Sequence, residues 1–107
     1  VTSIGSGAFF ECTSLTSISI PDSVTSIGDC AFINCTKLTS ITIPDSVPSI
    51  GENAFRYCTN LTSITYTGTV EQWNAITFGS NWNRDTGNYT IHCTDGDIAK
   101  DGTVTYH

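Results

Sequence analysis

The stretch VTSIGDCAFINCTKLTSITIPDS, residues 24–46, occurs three times in this chain of 107 residues. The block before it, residues 1–23, matches it at 17 positions, and the block after it, residues 47–69, matches it at 13, both without a gap. A repeat of fixed length between about 20 and 50 residues is typical of a solenoid, in which each unit packs only on its neighbours. The three blocks therefore predict a stack of coils, and they indicate a scaffold more than an enzyme.

Within one block, local patterns predict the course of the chain. Ile41 and Ile43 alternate with hydroxyl residues, which is the periodicity of a β-strand, and Pro44 ends the strand because it has no N–H to donate. Gly28 permits a tight bend, and the segment 29–36 is long enough for only one turn of 3-10 or α-helix. The chain is therefore expected to be mainly β, with short helical turns where each coil returns.

Equivalent apolar positions of the three blocks are expected to form continuous ladders. Strands that stack in register lie about 4.8 Å apart, so identical side chains cover one another from coil to coil. The predicted ladders are Leu15, Leu38 and Leu61; Ile18, Ile41 and Ile64; and Phe9, Phe32 and Phe55. A single coil would leave both of its apolar faces in water, so an isolated block is not expected to fold.

Composition and charge disfavour several classes of partner. The chain has 10 acidic and 4 basic residues and a formal net charge of −6, whereas nucleic-acid binding needs clustered Lys and Arg. The acidity also disfavours an anionic membrane surface, and no apolar run approaches the roughly 18 residues of a membrane-spanning helix. The chain lacks methionine and begins in repeat register, so we expect a segment of a longer protein, with any signal or anchor outside it.

The pattern IGxxAFxxCxxLxxIxIP, which spans residues 27–44, resembles the BspA-like leucine-rich repeat of bacterial surface proteins. The match extends through three blocks and fades after Tyr66, where Thr67 takes the place of the proline. The resemblance implies a right-handed leucine-rich repeat solenoid with a short parallel sheet along one side. It also implies a secreted or surface-attached protein with a role in adhesion, and it brings no catalytic residues.

The last third of the chain is expected to close the stack. Counted in steps of 23, Trp73 falls on Ile50 and Phe78 falls on Phe55, so the segment 70–84 is interpreted as a degenerate fourth coil. Two later Asp-Gly dipeptides predict a hairpin that covers the edge of the sheet. The predicted organisation is three repeats, residues 1–23, 24–46 and 47–69, followed by the degenerate coil and a C-terminal β cap, residues 70–107.

The five cysteines are interpreted mainly as packing residues. Cys12, Cys35 and Cys58 share one repeat position, and a spacing of 23 differs from that of zinc ligands. We expect buried free thiols there, with a metal ladder or disulfides between neighbouring coils as the alternatives. Cys30 occupies a position that is expected to be exposed, which would make it the most reactive thiol.

Two further groups suggest sites without matching their patterns. Asp95, Asp97 and Asp101 suggest a calcium loop, but their spacing departs from that of an EF-hand, and turn formation explains them. His92 precedes Cys93 in a strand-like run, so the two side chains are expected on opposite faces and not as a catalytic pair. The sequence therefore predicts no catalytic residue, no cofactor and no metal site.

The candidate partner-binding surface is the outward face of the predicted strands, where hydroxyl side chains recur in every block. The candidate residues are Ser17, Ser19, Ser40, Thr42, Ser63 and Thr65, together with Trp82. Trp82 matches no repeat position and is the best candidate for an exposed aromatic side chain, although packing favours its burial under the terminal hairpin.

These observations favour a non-catalytic protein-interaction or adhesion module of a secreted or cell-surface bacterial protein, with a protein or a glycan as its partner. The alternatives are a structural spacer that displays another domain, and a glycan-binding unit that uses the C-terminal cap. No nucleic-acid partner and no direct membrane insertion are expected. The first coil has an uncapped face, so self-association through it is expected as well.

Overall fold

The structure is a computed structural model that describes residues 3–107. Its strands are β1 (Ser17–Ser19), β2 (Ser40–Ile43), β3 (Ser49–Ile50), β4 (Ser63–Tyr66), β5 (Thr77–Phe78), β6 (Thr90–His92), β7 (Gly96–Ala99) and β8 (Val104–Tyr106), and its helix is α1 (Val70–Asn74). The larger sheet has the order β1-β2-β4-β6-β7-β8, and β3 pairs with β5 in a second sheet. The predicted mainly β solenoid with a parallel sheet is confirmed.

The parallel strands pair in the register of the repeat. Ile18 lies opposite Ile41, and Ile41 lies opposite Ile64, so one step across the sheet is one step of 23 residues along the chain. The alternation of apolar and hydroxyl residues then points each isoleucine inward and its neighbours outward. The register is fixed by this alternation, because a slip of one residue would place the isoleucines in water.

On the return side of each coil, the phenylalanines stack as predicted. The Phe9 N–H donates to the Ala31 carbonyl at 2.7 Å, and the Phe32 N–H donates to the Ala54 carbonyl at 2.8 Å. The rings follow the backbone: Phe9 and Phe32 lie 5.0 Å apart between centroids, and Phe32 and Phe55 lie 5.1 Å apart, nearly parallel in both cases. All these bonds run in one direction, from each coil to the carbonyls of the next coil.

A gradient of burial shows what each coil contributes to its neighbour. Phe32 and Phe55 are fully buried, whereas Phe9, at the same repeat position in the first coil, is only half-buried. The same difference separates Leu15 from Leu38. Since the side chains are identical, the cause is the neighbouring coil that the first rung lacks within the described part of the chain. Burial of such a side chain is worth about 1.5–3 kcal/mol.

The fourth coil departs from the predicted register. Ile50 lies opposite Phe78 in the β3–β5 pair, and the Phe55 N–H donates to the Trp82 carbonyl at 2.7 Å. The prediction that Trp73 falls on Ile50 and Phe78 on Phe55 is therefore wrong. The step to this coil is 27 to 28 residues, because α1 is inserted between the third and fourth coils.

Helix α1 begins at a reciprocal cap and covers the apolar interior. The Thr69 hydroxyl accepts from the Gln72 N–H at 3.2 Å, while the Gln72 side-chain oxygen accepts from the Thr69 N–H at 2.8 Å. The helix buries Val70 and Trp73, and the Trp73 ring meets the Tyr66 ring edge-on at 5.2 Å. The expected role of Trp73 as a cover over the last regular coil is thus confirmed, although its register was wrong.

The sheet ends in the predicted capping hairpin. Strand β6 pairs parallel to β4, with Ile91 opposite Ile64, and then β7 and β8 continue the sheet in antiparallel order. Ile98, in β7, is buried against the same interior. The apolar stack is therefore closed by a helix and a hairpin at this end.

Phe32→Ala should lower the free energy of unfolding by about 3–5 kcal/mol, because it opens a cavity in the middle of the phenylalanine ladder. Phe9→Ala should cost clearly less, since Phe9 lacks a neighbour on one side. Chemical denaturation of the two variants measures the difference. Equal losses would contradict the dependence of burial on the next coil.

Close approach of neighbouring coils requires glycine at position 51. A Cβ atom on Gly51 would lie 2.5 Å from the Asp29 nitrogen and from the Gly28 carbonyl carbon, whereas a Cβ atom on Gly5 would meet nothing within 4 Å. Gly51→Ala should therefore destabilise the fold by about 1–3 kcal/mol, as overpacking does. Gly5→Ala is the matched control, and its midpoint of denaturation should stay at or slightly above that of the wild type. A harmless Gly51→Ala would show that the coils are not packed this closely.

Candidate partner-binding surface

Two rows of outward-facing residues cross the four parallel strands of the sheet. The strand register places Ser19, Thr42, Thr65 and His92 in one row, and Ser17, Ser40, Ser63 and Thr90 in the other. The six hydroxyl residues that the sequence predicted therefore lie together on one face. The structure adds Thr90 and His92, whose strand-like alternation was recognised but whose register could not be derived from the repeat.

The hydroxyl groups of these rows are free to meet a partner. Within residues 3–107, none of the six predicted hydroxyls is hydrogen-bonded to the protein. The threonines at the strand entrances differ, because the Thr39 hydroxyl donates to the Thr16 carbonyl at 3.0 Å and the Thr62 hydroxyl donates to the Thr39 carbonyl at 3.2 Å. Those threonines join coils, whereas the rows present unused donors and acceptors.

An ionisable cluster lies at the C-terminal end of one row. His92 Nδ1 lies 3.1 Å and His107 Nε2 lies 3.3 Å from the same oxygen of Asp97. The hydrogen bond from His92, supported by the one from His107, holds the pKa of Asp97 below its usual value. The row therefore changes from neutral hydroxyls to a carboxylate and two imidazoles at this end.

The aspartates that suggested a calcium loop have separate structural partners. The Asp95 carboxylate accepts from the Val70 N–H at 2.9 Å, at the start of α1, and the Asp101 carboxylate accepts from the Thr103 N–H at 2.9 Å in the last turn. Over residues 3–107, no three His, Cys, Asp or Glu side chains are arranged to hold a metal ion. Turn and cap formation account for these acidic residues.

Trp82 lies away from the hydroxyl face, in an aromatic cluster at the end of the phenylalanine ladder. Its ring stacks on Phe78 at 4.5 Å and meets Phe55, Trp73 and Tyr89 at 6.1–6.2 Å. It is half-buried against the core, as packing favoured, but it occupies the rung that follows Phe55, so the expectation that it matches no rung is wrong. Its ring is already covered by other aromatic rings.

The return side carries two exposed aromatic side chains, Phe10 and Tyr57. The Arg56 guanidinium lies over the Tyr57 ring, 4.7 Å from its centroid, and donates to the Tyr57 hydroxyl at 2.9 Å. Arginine and tyrosine are common hot-spot residues in protein interfaces. This side of the coil is therefore a second, smaller surface with contact chemistry of its own.

All five cysteines are free, as expected for most of them. The Cys35 thiol donates to the Phe9 carbonyl at 3.2 Å and the Cys58 thiol donates to the Phe32 carbonyl at 3.1 Å, so each cysteine joins its coil to the preceding one. Cys30 is half-buried, and the expectation of an exposed thiol is wrong. Its N–H donates across to the next coil, which keeps this position close to its neighbours.

The surroundings of the thiols set their acidity. The hydrogen bond with Cys35, together with burial, raises the pKa of Cys58, and the same bond lowers the pKa of Cys35 to about 7. Burial raises the pKa of Cys93 to about 11, and the charges of Asp95 and Asp97 act in the same direction. Cys35 is nevertheless fully buried, so reagents have no access to its sulfur.

Alkylation of the folded chain at pH 8 should modify Cys12 and Cys30, which are half-buried, and spare Cys35, Cys58 and Cys93. Alkylation needs an accessible thiolate, and the last three lack access, acidity or both. Peptide mapping by mass spectrometry after reaction with iodoacetamide measures the difference, and the unfolded chain, in which all five should react, is the control. Modification of Cys58 as fast as Cys30 in the folded chain would contradict the packing.

The chain matches known proteins along most of its length. Residues 1–95 match the family described as BspA type leucine rich repeat region. No curated protein matches the chain. In the part of the chain that the structure describes, no helix has the length and hydrophobicity needed to cross a bilayer.

Solved structures of three bacterial proteins share the fold. A leucine rich cell surface protein from Faecalibacterium prausnitzii A2-165 is 47% identical with a TM-score of 0.70, over 71% of this chain and 20% of that chain. A leucine-rich repeat protein from Bacteroides ovatus ATCC 8483 is 33% identical with a TM-score of 0.68, over 87% and 25%. The T. pallidum leucine rich repeat protein is 31% identical with a TM-score of 0.64, over 79% and 48%.

The chain thus spans less than half the length of each of these proteins. Its 23-residue register, its stacked phenylalanine and isoleucine ladders and the family match over residues 1–95 agree with one another. The chain belongs to the BspA-type leucine-rich repeat family.

Proposed function

We propose that this chain is an adhesive protein-interaction module at a bacterial cell surface, and that the hydroxyl face of its sheet contacts the partner. Its family and the cell-surface protein from Faecalibacterium prausnitzii support an interaction module in general. Leucine-rich repeats of this family are typically non-catalytic scaffolds. Repeat proteins bind along extended surfaces because each added coil extends the surface by one row.

The single observation that carries the proposal is the pair of hydroxyl rows across β1, β2, β4 and β6. Their hydroxyls make no hydrogen bonds within residues 3–107, and a hydroxyl both donates and accepts. Such rows suit a partner that is rich in amide or hydroxyl groups, as an extended polypeptide or a glycan is. The His92–Asp97–His107 cluster then makes the two ends of the surface chemically different.

The same chemistry predicts weak binding by these coils alone. Ser and Thr contribute little to interfaces compared with Trp, Tyr and Arg. Since the chain spans only part of the length of its structural neighbours, many coils or many copies would supply affinity through multivalency. This expectation fits an adhesive role, in which weak contacts act together.

A structural spacer is the main alternative, and it predicts no partner at all. Glycan binding through the C-terminal cap has less support, because the Trp82 ring is already in contact with four aromatic rings. A glycan that binds the hydroxyl rows instead is a variant of the proposal. These readings are separated by the type of probe that binds and by the face on which it binds.

The test presents the immobilised chain to a panel of purified extracellular-matrix proteins and to a glycan array. Thr65→Arg, in the middle of one hydroxyl row, should lower the signal of any binding probe at least about fivefold, because a long charged side chain covers the row. Thr59→Arg is the matched control on an exposed turn outside the rows, and it should bind like the wild type.

Both variants should keep the thermal midpoint of the wild type, which shows that the fold is intact. No binding on either panel would contradict the proposal and favour the spacer. An equal loss in Thr65→Arg and Thr59→Arg would show that added charge, and not the hydroxyl face, controls the signal.

A further inference from the structure

We propose that two copies of this chain associate through β1, in an antiparallel pair about a two-fold axis that places Ile18 opposite Ile18 of the second copy. The inference concerns the first coil and does not depend on the function of the hydroxyl face. It rests on an apolar cavity, a free strand edge and the closure of the opposite end of the solenoid.

The first coil leaves a cavity of about 310 Å³ open on its outer side. Its lining is almost wholly apolar and includes Ile4, Phe9, Ile18, Ile20 and Val24. The equivalent side chains of the second and third coils are covered by the coil before them. The cavity is therefore the space beside the first rung of the apolar ladders, and a chain segment that fills it must carry apolar side chains.

The free edge of β1 has the hydrogen-bonding groups for such a segment. The Thr16 carbonyl accepts from the Thr39 N–H at 2.8 Å, and the Ile20 N–H donates to the Thr42 carbonyl at 3.0 Å. Even-numbered residues thus use their backbone groups toward β2, because these groups alternate sides along a strand. The N–H and C=O of Ser17 and Ser19 face the open edge, so the edge has both donors and acceptors.

The sequence Ser17-Ile18-Ser19 reads the same in both directions, which suits an antiparallel pair of identical strands. With Ile18 opposite itself, Ser17 of each copy lies opposite Ser19 of the other, in the geometry that exchanges two hydrogen bonds per residue pair. The serines then stay on the outer face, and the isoleucines meet over the two cavities. The hydroxyl rows of the two copies become continuous.

Other ways of stacking two copies are less complementary. At the C-terminal end, β7 and β8 extend the sheet beyond the fourth coil and obstruct a first coil that would stack there. On the return side, the register aims the carbonyls of Ser6, Ala8 and Phe10 at the open end, as it aims those of the next coil at this one. Two such ends would oppose acceptor to acceptor. Strand β1 is the self-complementary part, so the pair closes as a dimer and does not grow into a fibre.

Charge gives the proposed dimer a distinctive salt dependence. Residues 3–23 contain Glu11 and Asp22 and no basic residue, and the whole chain carries −6. Two copies that meet at this end repel each other. Raising the ionic strength from about 0.1 M to about 1 M shortens the screening length from about 10 Å to about 3 Å, so added salt should strengthen the association.

The test is sedimentation equilibrium of the 107-residue chain between about 10 and 500 µM. We expect a monomer–dimer equilibrium without larger species, and a lower dissociation constant at 1 M than at 0.1 M NaCl. A strict monomer at the highest concentration in both salts would overturn the proposal. Association that weakens with salt would overturn it too, because it would require opposite charges at the interface.

Proline variants locate the interface. Ser19→Pro removes an N–H that faces the open edge, which an edge strand tolerates, and by symmetry it removes two hydrogen bonds from the dimer. It should raise the dissociation constant at least about tenfold without lowering the thermal midpoint, and Ser17→Pro should do the same. Tyr106→Pro, whose N–H faces the free edge of β8, is the matched control and should dimerise like the wild type. A dimer that survives both serine variants, or that only Tyr106→Pro breaks, would place the interface elsewhere.

Discussion

Each apolar side chain in the middle of this molecule is removed from water by the same side chain one coil away. Phe32 is fully buried between Phe9 and Phe55, and its ring lies about one strand spacing from both. Phe9 has the same local surroundings within its coil but only one such neighbour, and it is half-exposed. Stability is therefore a property of pairs of coils, as in other repeat proteins. The inserted helix, the aromatic cluster and the hairpin can all be understood as ways to end this stack.

Backbone geometry allows the stack to be this tight. Residues with positive φ recur at two positions of each return segment, for example Cys30 and Asn34 in the second coil and Asn53 and Tyr57 in the third. Asparagine tolerates this conformation better than most residues, whereas cysteine and tyrosine do so at some cost. The turns let alternate N–H groups point along the solenoid axis to the next coil. The polar spine on one side and the parallel sheet on the other thus keep the ladders in register.

The repeat made the regular part of the fold predictable, and its interruption limited the rest. The ladders of Leu38, Ile41 and Phe32 follow from a period of 23 residues, because a solenoid places equal positions on top of one another. Counting on by the same period failed after Thr69, where a helix is inserted and Trp82 replaces the phenylalanine rung. The Thr69-x-x-Gln72 capping box was the available signal for that helix. The outward hydroxyls of the first three strands could be predicted, whereas His92 joins their row only because the fourth strand pairs at a longer step.

Residue-resolved amide hydrogen exchange tests the stacking of the coils most directly. The N–H groups of Phe32 and Phe55 donate to the next coil, so they can exchange only when neighbouring coils separate. The account predicts that these amides exchange slowly and at the same rate as the strand amides of Ile41 and Ile64. Fast exchange at Phe32 and Phe55 beside a protected strand β2 would show that the return sides are not stacked, and it would contradict the account.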